Sequence, residues 1–100
     1  MMKFQSEYQN GTLTISLGKN FDISVYNHFE QVYTQFFNQI SQAIVDLNHT
    51  EFVDSSALGM LLLLKENLGN EVQTIKIINA NEEVKQVFRT AQFHQLFDIH

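Results

Sequence analysis

The sequence predicts an α/β fold: a mixed β-sheet with helices packed mainly on one face, in a single domain spanning residues 1–100. Three observations predict it. Segments with strand periodicity alternate with segments of helical periodicity, the pattern of a layered α/β arrangement. The central strand candidate, Ala43-Ile44-Val45 with Leu47, is a nearly continuous apolar run of the kind found inside parallel sheets. Asn10-Gly11 between two strand-like stretches marks a tight hairpin, so at least one strand pair is antiparallel. Right-handed crossovers then carry successive helices over the same face.

The elements follow in order. Phe4 and Tyr8 share the parity of one strand face, and Asn10-Gly11 supplies the two positive-φ positions of a type I′ turn. Leu13, Ile15 and Leu17 alternate with Thr12, Thr14 and Ser16, which is a half-buried strand ending at Gly18–Asn20. Phe21-Asp22-Ile23-Ser24 is a turn into a helix, with Asp22 or Ser24 as its cap. Val25, Phe29, Val32, Tyr33, Phe36, Phe37 and Ile40 recur at helical spacing and predict one amphipathic helix. The apolar run at 43–47 is expected to be buried on both faces. A leucine-rich helix follows and ends at Gly69, a suitable residue just beyond a helix C-terminus. Leu58, Met60, Leu61, Leu62, Leu63, Leu64 and Leu68 cover more than one stripe of it. That helix is therefore expected to be buried on most sides, or to keep one apolar face for a partner, and a charge at Leu62 is expected to unfold it. Thr74–Ile78 is a further strand. Asn81 caps a third helix carrying Glu82 and Glu83 in its first turn and Val84, Val87, Phe88 and Ala91 on its apolar stripe. Phe97–Ile99 is a short edge strand.

Composition sets bounds on function. Hydrophobic residues make up 44% of the chain and aromatics 12%, enough for one core at 100 residues. A net charge of -5 and a pI near 5.1 argue against nucleic-acid binding, which needs clustered Lys and Arg. Without cysteine there is neither a disulfide framework nor a thiolate metal site, which fits a cytoplasmic setting. The first residues lack the apolar stretch of a secretion signal, and the run Ala57–Leu64 is too short to cross a bilayer, so no direct membrane insertion is expected. Ser55 has no Gly-x-Ser-x-Gly elbow around it, and no Gly-rich phosphate loop ends in Lys-Ser or Lys-Thr. His28, His49, His94 and His100 are scattered, with no pair at metal-ligand spacing. No enzyme, metal or cofactor reading follows from any of these patterns.

The chemistry concentrates at Asp54-Ser55-Ser56-Ala57-Leu58-Gly59, at the head of the leucine-rich helix. A side-chain oxygen here can accept from backbone N–H groups that have no intrahelical partner. The positive end of the helix dipole favours an added anion. Asp54 has two readings: a cap, or a group that positions the Ser55 hydroxyl or a metal ion brought by a partner. Ser56 reads as a second cap or a loop hydrogen-bond partner. Gly59 reads as a place where a neighbouring backbone comes close.

Val45-Asp46-Leu47, then Phe52-Val53, then Asp54-Ser55-Ser56-Ala57-Leu58-Gly59, resembles the strand, loop and signature helix of the STAS family, which includes the anti-sigma-factor antagonists. Leu17-Gly18 and Phe21-Asp22 resemble the family's turn before its first helix, with Lys19 and Asn20 as extra spacing. Ala57 stands where family members most often have glycine. The resemblance implies the STAS fold over nearly the whole chain. It also implies a non-enzymatic role, in which Ser55, the serine directly after the aspartate, is the phosphate acceptor. The partners it implies are a serine kinase of the anti-sigma type and a cognate phosphatase. Partner contacts are expected at Asp22, Ser24, Asp54, Ser55, Ser56, Ala57 and Gly59. An alternative within the same resemblance is an accessory subunit of a membrane lipid-transporter ATPase, in which the serine position contacts the ATPase without being modified.

Overall fold

A computed structural model describes residues 4–72 and 74–100. Its main sheet has five strands in the order β1-β2-β4-β6-β7, formed by Gln5–Gln9, Thr12–Ser16, Gln42–Asp46, Ile75–Ile78 and Asp98–Ile99. β1 is antiparallel to β2 and the remaining pairs are parallel, so the sheet is mixed. The hairpin forms as its turn chemistry requires, with φ of 52° at Asn10 and 85° at Gly11. Gly11 is needed twice over, because a Cβ there would lie 2.6 Å from the Ser41 Oγ. Its carbonyl accepts from the Ser41 and Gln42 amides at 2.7 and 3.1 Å, which starts β4 beside β2.

Register explains the layering. Leu13, Ala43 and Ile75 form one cross-strand row, and Ile15, Val45 and Ile77 the next, all facing the same way and all buried. Three helices cover that face: α1 (Tyr26–Thr34), α2 (Ser55–Leu68) and α3 (Glu82–Thr90). Phe29, Val32 and Tyr33 of α1, Leu61 and Leu64 of α2, and Val84 and Phe88 of α3 complete one core. The opposite face carries Thr12, Thr14, Ser16, Gln42 and Lys76, all only half-buried. The expectation that the 43–47 strand is buried on both faces is therefore corrected. Ile44 and Asp46 face the open side, and only Ala43, Val45 and Leu47 are sealed. An apolar run marks a central strand, but the helices cover one face only.

Two further expectations need correction. α1 stops at Thr34, short of the Ile40 that the periodicity implied. The chain turns through Asn38, at φ 68°, to bring Ser41 to Gly11. Phe36 instead stacks on Tyr8 with centroids 4.2 Å apart, while Phe37 is exposed. Ala91 lies past the end of α3 and is also exposed. A feature not foreseen is a second, two-stranded parallel sheet joining β3 (Asn20–Phe21) to β5 (Phe52–Val53). It lies directly ahead of α1 and α2.

Candidate functional site: paired helix starts at one edge of the fold

The second sheet sets the site. Its register aligns Asn20 with Phe52 and Phe21 with Val53, so one residue further Asp22 comes beside Asp54. Both aspartates line the same small cleft, of about 70 Å³, with Asn20, Phe21, Phe52 and Val53. The loops that deliver the strands are tied together. Thr50, only 2% exposed, donates its hydroxyl to the Gly18 carbonyl at 2.8 Å, and the Lys19 carbonyl accepts from the Glu51 and Phe52 amides. Nothing in the sequence singled out Thr50. A lone threonine in a polar loop carries no local sign that its oxygen will find a carbonyl 32 residues away.

The two aspartates make the same structure. The Asp22 Oδ1 accepts from the Ser24 amide at 2.9 Å and the Ser24 hydroxyl at 2.5 Å, opening a short 3₁₀ turn before α1. The Asp54 Oδ1 accepts from the Ser56 amide at 3.0 Å, the Ala57 amide at 3.2 Å and the Ser56 hydroxyl at 2.6 Å. Asp54 is thus the N-cap of α2. The Ser56 hydroxyl, and then the Ala57 and Ser56 amides, hold its carboxyl below the ordinary value of 3.8.

Ser55 and Ser56 are neighbours with different circumstances. Ser56 is half-buried and its hydroxyl is engaged by Asp54. Ser55, the first residue of α2, is exposed, and among the described residues its hydroxyl makes no side-chain hydrogen bond. The amides of Ser56 and Ala57 already serve Asp54. An anion added at Ser55 therefore finds these helix-start donors committed. It stands out toward solvent, close to Asp54 and on the edge shared with Asp22.

Of the other residues expected at a partner surface, Asp22, Ser24, Asp54, Ser55 and Ser56 are gathered at this edge by the β3–β5 pairing. Ala57 is fully buried, so its side chain belongs to the core and offers nothing outward. Gly59 is exposed one turn beyond Ser55. The close backbone approach expected there is absent within the described residues, since a Cβ would meet nothing within 4 Å. The exposed residues Ile23 and Phe52 flank the same edge; the sequence places them in the turn and the strand that lead into the helices but does not mark them as surface contacts, because isolated apolar residues give no periodic signal.

Among the described residues, no group of three His, Asp or Glu side chains is placed to hold a metal ion. No described helix is long and apolar enough to cross a membrane.

A mixed sheet layered by three helices on one face, with a capped Asp-Ser-Ser helix start at its edge, is the class of α/β domain that the sequence resemblance implied. The STAS domain model matches residues 3–100, and the chain belongs to that family. It is similar to a STAS-domain containing protein of Pseudomonas aeruginosa, 37% identical over 87% of this chain and 86% of that one. Among solved structures it resembles an anti-sigma factor antagonist from Mycobacterium paratuberculosis, with TM-score 0.82 at 18% identity over 98% of this chain and 84% of that one. It also resembles the anti-sigma factor antagonist SpoIIAA in its unphosphorylated form, with TM-score 0.76 at 20% identity over 97% and 86% of the two chains. SpoIIAA in its phosphorylated form matches with TM-score 0.69 at 19% identity, covering 97% and 90%.

Proposed function

We propose that this protein is a phospho-switched binding protein. With Ser55 unmodified it docks to a serine kinase of the anti-sigma type; phosphorylation of Ser55 releases it, and a phosphatase restores binding. The observation that carries the reading is the contrast within the serine pair: Ser55 is exposed with an uncommitted hydroxyl, while the Ser56 hydroxyl is held by Asp54 at 2.6 Å. Only the former can reach a kinase without undoing the cap. That a fold neighbour exists in unphosphorylated and phosphorylated forms lends further support.

The switch needs no large rearrangement. A phosphate adds about -1.5 to -2 charges and three acceptor oxygens. The nearest helix-start amides are committed to Asp54, so that charge adds to those of Asp54 and Asp22 on one edge. A partner packed on the neutral hydroxyl must then desolvate or oppose it. Leaving such a charge buried and unpaired costs several kcal/mol, and each ~1.4 kcal/mol is tenfold in affinity. Local charge and bulk are sufficient.

The test is incubation of the intact chain with ATP and each serine kinase of the anti-sigma type from the same organism, followed by intact-mass measurement and peptide mapping. A gain of one phosphate mapped to Ser55 is expected. Ser55→Ala should then bind the kinase constitutively, and Ser55→Asp should bind it at least about tenfold more weakly. Equal affinity of these two variants overturns the switch. Stable co-purification with a transporter ATPase, with Ser55 unmodified, would assign the chain to the accessory-subunit reading instead.

A further inference from the structure

A second surface lies beside the serine edge. Two shallow cavities, of about 370 and about 300 Å³, run together along α3 because Gln86 and Val87 line both. The first is completed by Phe52 and Val53 of β5 and by Glu51 and Glu83, and the second by Leu58 of α2 with Thr90 and Ala91. The result is one groove between α3 and the β5–α2 corner. From Glu83 to Thr90 it follows about 10 Å of α3, at about 1.5 Å per residue, with Ala91 just beyond. Its apolar character is continued outward by Phe52, 56% exposed, and by Leu62, 42% exposed and one turn beyond Leu58.

The charges in its lining are one-sided. Both carboxylates in its lining, Glu51 and Glu83, stand in the first cavity, and among the described residues no Lys or Arg lines either one. α3 does carry two cations, Lys85 and Arg89, which reach Glu82 at 3.9 and 3.8 Å, and Arg89 also donates to the Oε1 of the groove-lining Gln86 at 2.9 Å, so it stands on the α3 rim of the groove. Residues 82, 85 and 89 share one face, while 83, 87 and 90 share the groove face and 86 stands at the border between the two, as a step of about 100° per residue dictates. Lys19 stands over the Phe52 ring at 6.0 Å without lining the groove. The groove is thus an apolar trough with two carboxylates at its mouth, Arg89 on its α3 rim and, among the described residues, no basic side chain in its lining.

We propose that this groove seats a cationic amphipathic helix of a partner protein, apolar face inward and basic residues toward Glu51 and Glu83. An apolar groove between elements is a common receptor for such a helix. Acidic rims select basic partners by steering and by excluding acidic ones. The surface adjoins the serine edge, with which it shares Phe52 and Val53, but none of its lining residues carries the modification.

The test is an NMR titration of the ¹⁵N-labelled full chain with a synthetic Leu/Lys amphipathic peptide of about 14 residues, roughly 21 Å of helix. A Leu/Glu peptide of the same pattern is the control. Shifts are expected at the Val53, Leu58, Val87 and Ala91 amides with the Leu/Lys peptide only. Gln86→Lys, an exposed substitution that leaves the core intact, should weaken binding at least about tenfold. Ser55→Ala should bind as the parent does. The proposal is overturned by shifts elsewhere or none, by equal binding of the Leu/Glu peptide, or by an affinity indifferent to Gln86→Lys. It is also overturned if the groove amides shift with protein concentration alone, which would make a second copy the occupant.

Discussion

At the scale of single residues, the head of α2 shows how one side chain can serve several donors. The Asp54 carboxylate accepts from two amides and a hydroxyl, which favours its charged form. Its carboxyl titrates below the ordinary value of 3.8, so its contribution to stability is fully present above that value. The contribution is lost as pH falls from the ordinary value through the lowered folded one. Urea unfolding of the parent and of Asp54→Asn across acidic pH should show a steeper loss in the parent, and parallel curves would refute the linkage. Gly59 makes the complementary point. It carries glycine's helix-propensity cost on an exposed face, where a Cβ would meet nothing within 4 Å. Gly59→Ala should therefore stabilise the chain by about 0.5–1 kcal/mol. Thermal unfolding checks this, and a lowered midpoint would mean that the helix face is covered after all.

At the scale of the element, α2 is less buried than its composition suggests. Leu61 and Leu64 are fully sealed, while Leu62 and Leu63 are 42% and 40% exposed. A helix turns by about 100° per residue, so four consecutive leucines cannot all face the sheet. Leu62→Asp should consequently remain folded, losing no more than about 1 kcal/mol through weaker helix propensity. Leu61→Ala should lose about 2–5 kcal/mol through the cavity it leaves. Circular dichroism with urea titration separates the two, and unfolding of Leu62→Asp would restore the expectation of burial on most sides. In α3 the cap is the decisive local feature, since the Asn81 side chain accepts from the Val84 amide at 2.8 Å. Asn81→Ala should cost about 1 kcal/mol by the same measurement.

At the scale of the whole molecule, the architecture is two layers with one sheet face left open, and its principal extents are 33 × 32 × 19 Å. Neighbouring residues on one strand therefore differ sharply in consequence. Ile15 is fully buried beneath the helices, whereas Thr14 sits on the open face. Ile15→Ala should cost about 2–5 kcal/mol. Thr14→Ala should cost within about 1 kcal/mol, the span of strand propensity. Similar losses at both positions would mean that the second face is covered. The serine edge and the groove along α3 lie side by side on the helical layer, where they share Phe52 and Val53.

What the sequence determined by itself was whatever short-range physics encodes. Alternation at Leu13–Leu17, the Asn10-Gly11 turn, the Asp54 and Asn81 caps and the Gly69 stop all act through neighbours a few residues away, and each appears in the structure. The Asp-Ser-Ser signature was legible for the same reason. Tertiary structure alone decided the rest. α1 ends early because Ser41 must reach Gly11, a pairing 30 residues apart. β3 and β5 are two residues each, too short for periodicity, and exist only because each finds the other. That pairing brings Asp22 to Asp54, and the seating of α2 on the sheet leaves Ser55 outward while Asp54 takes the Ser56 hydroxyl. Local propensity cannot choose between two adjacent serines; the direction in which a packed helix presents each of them can.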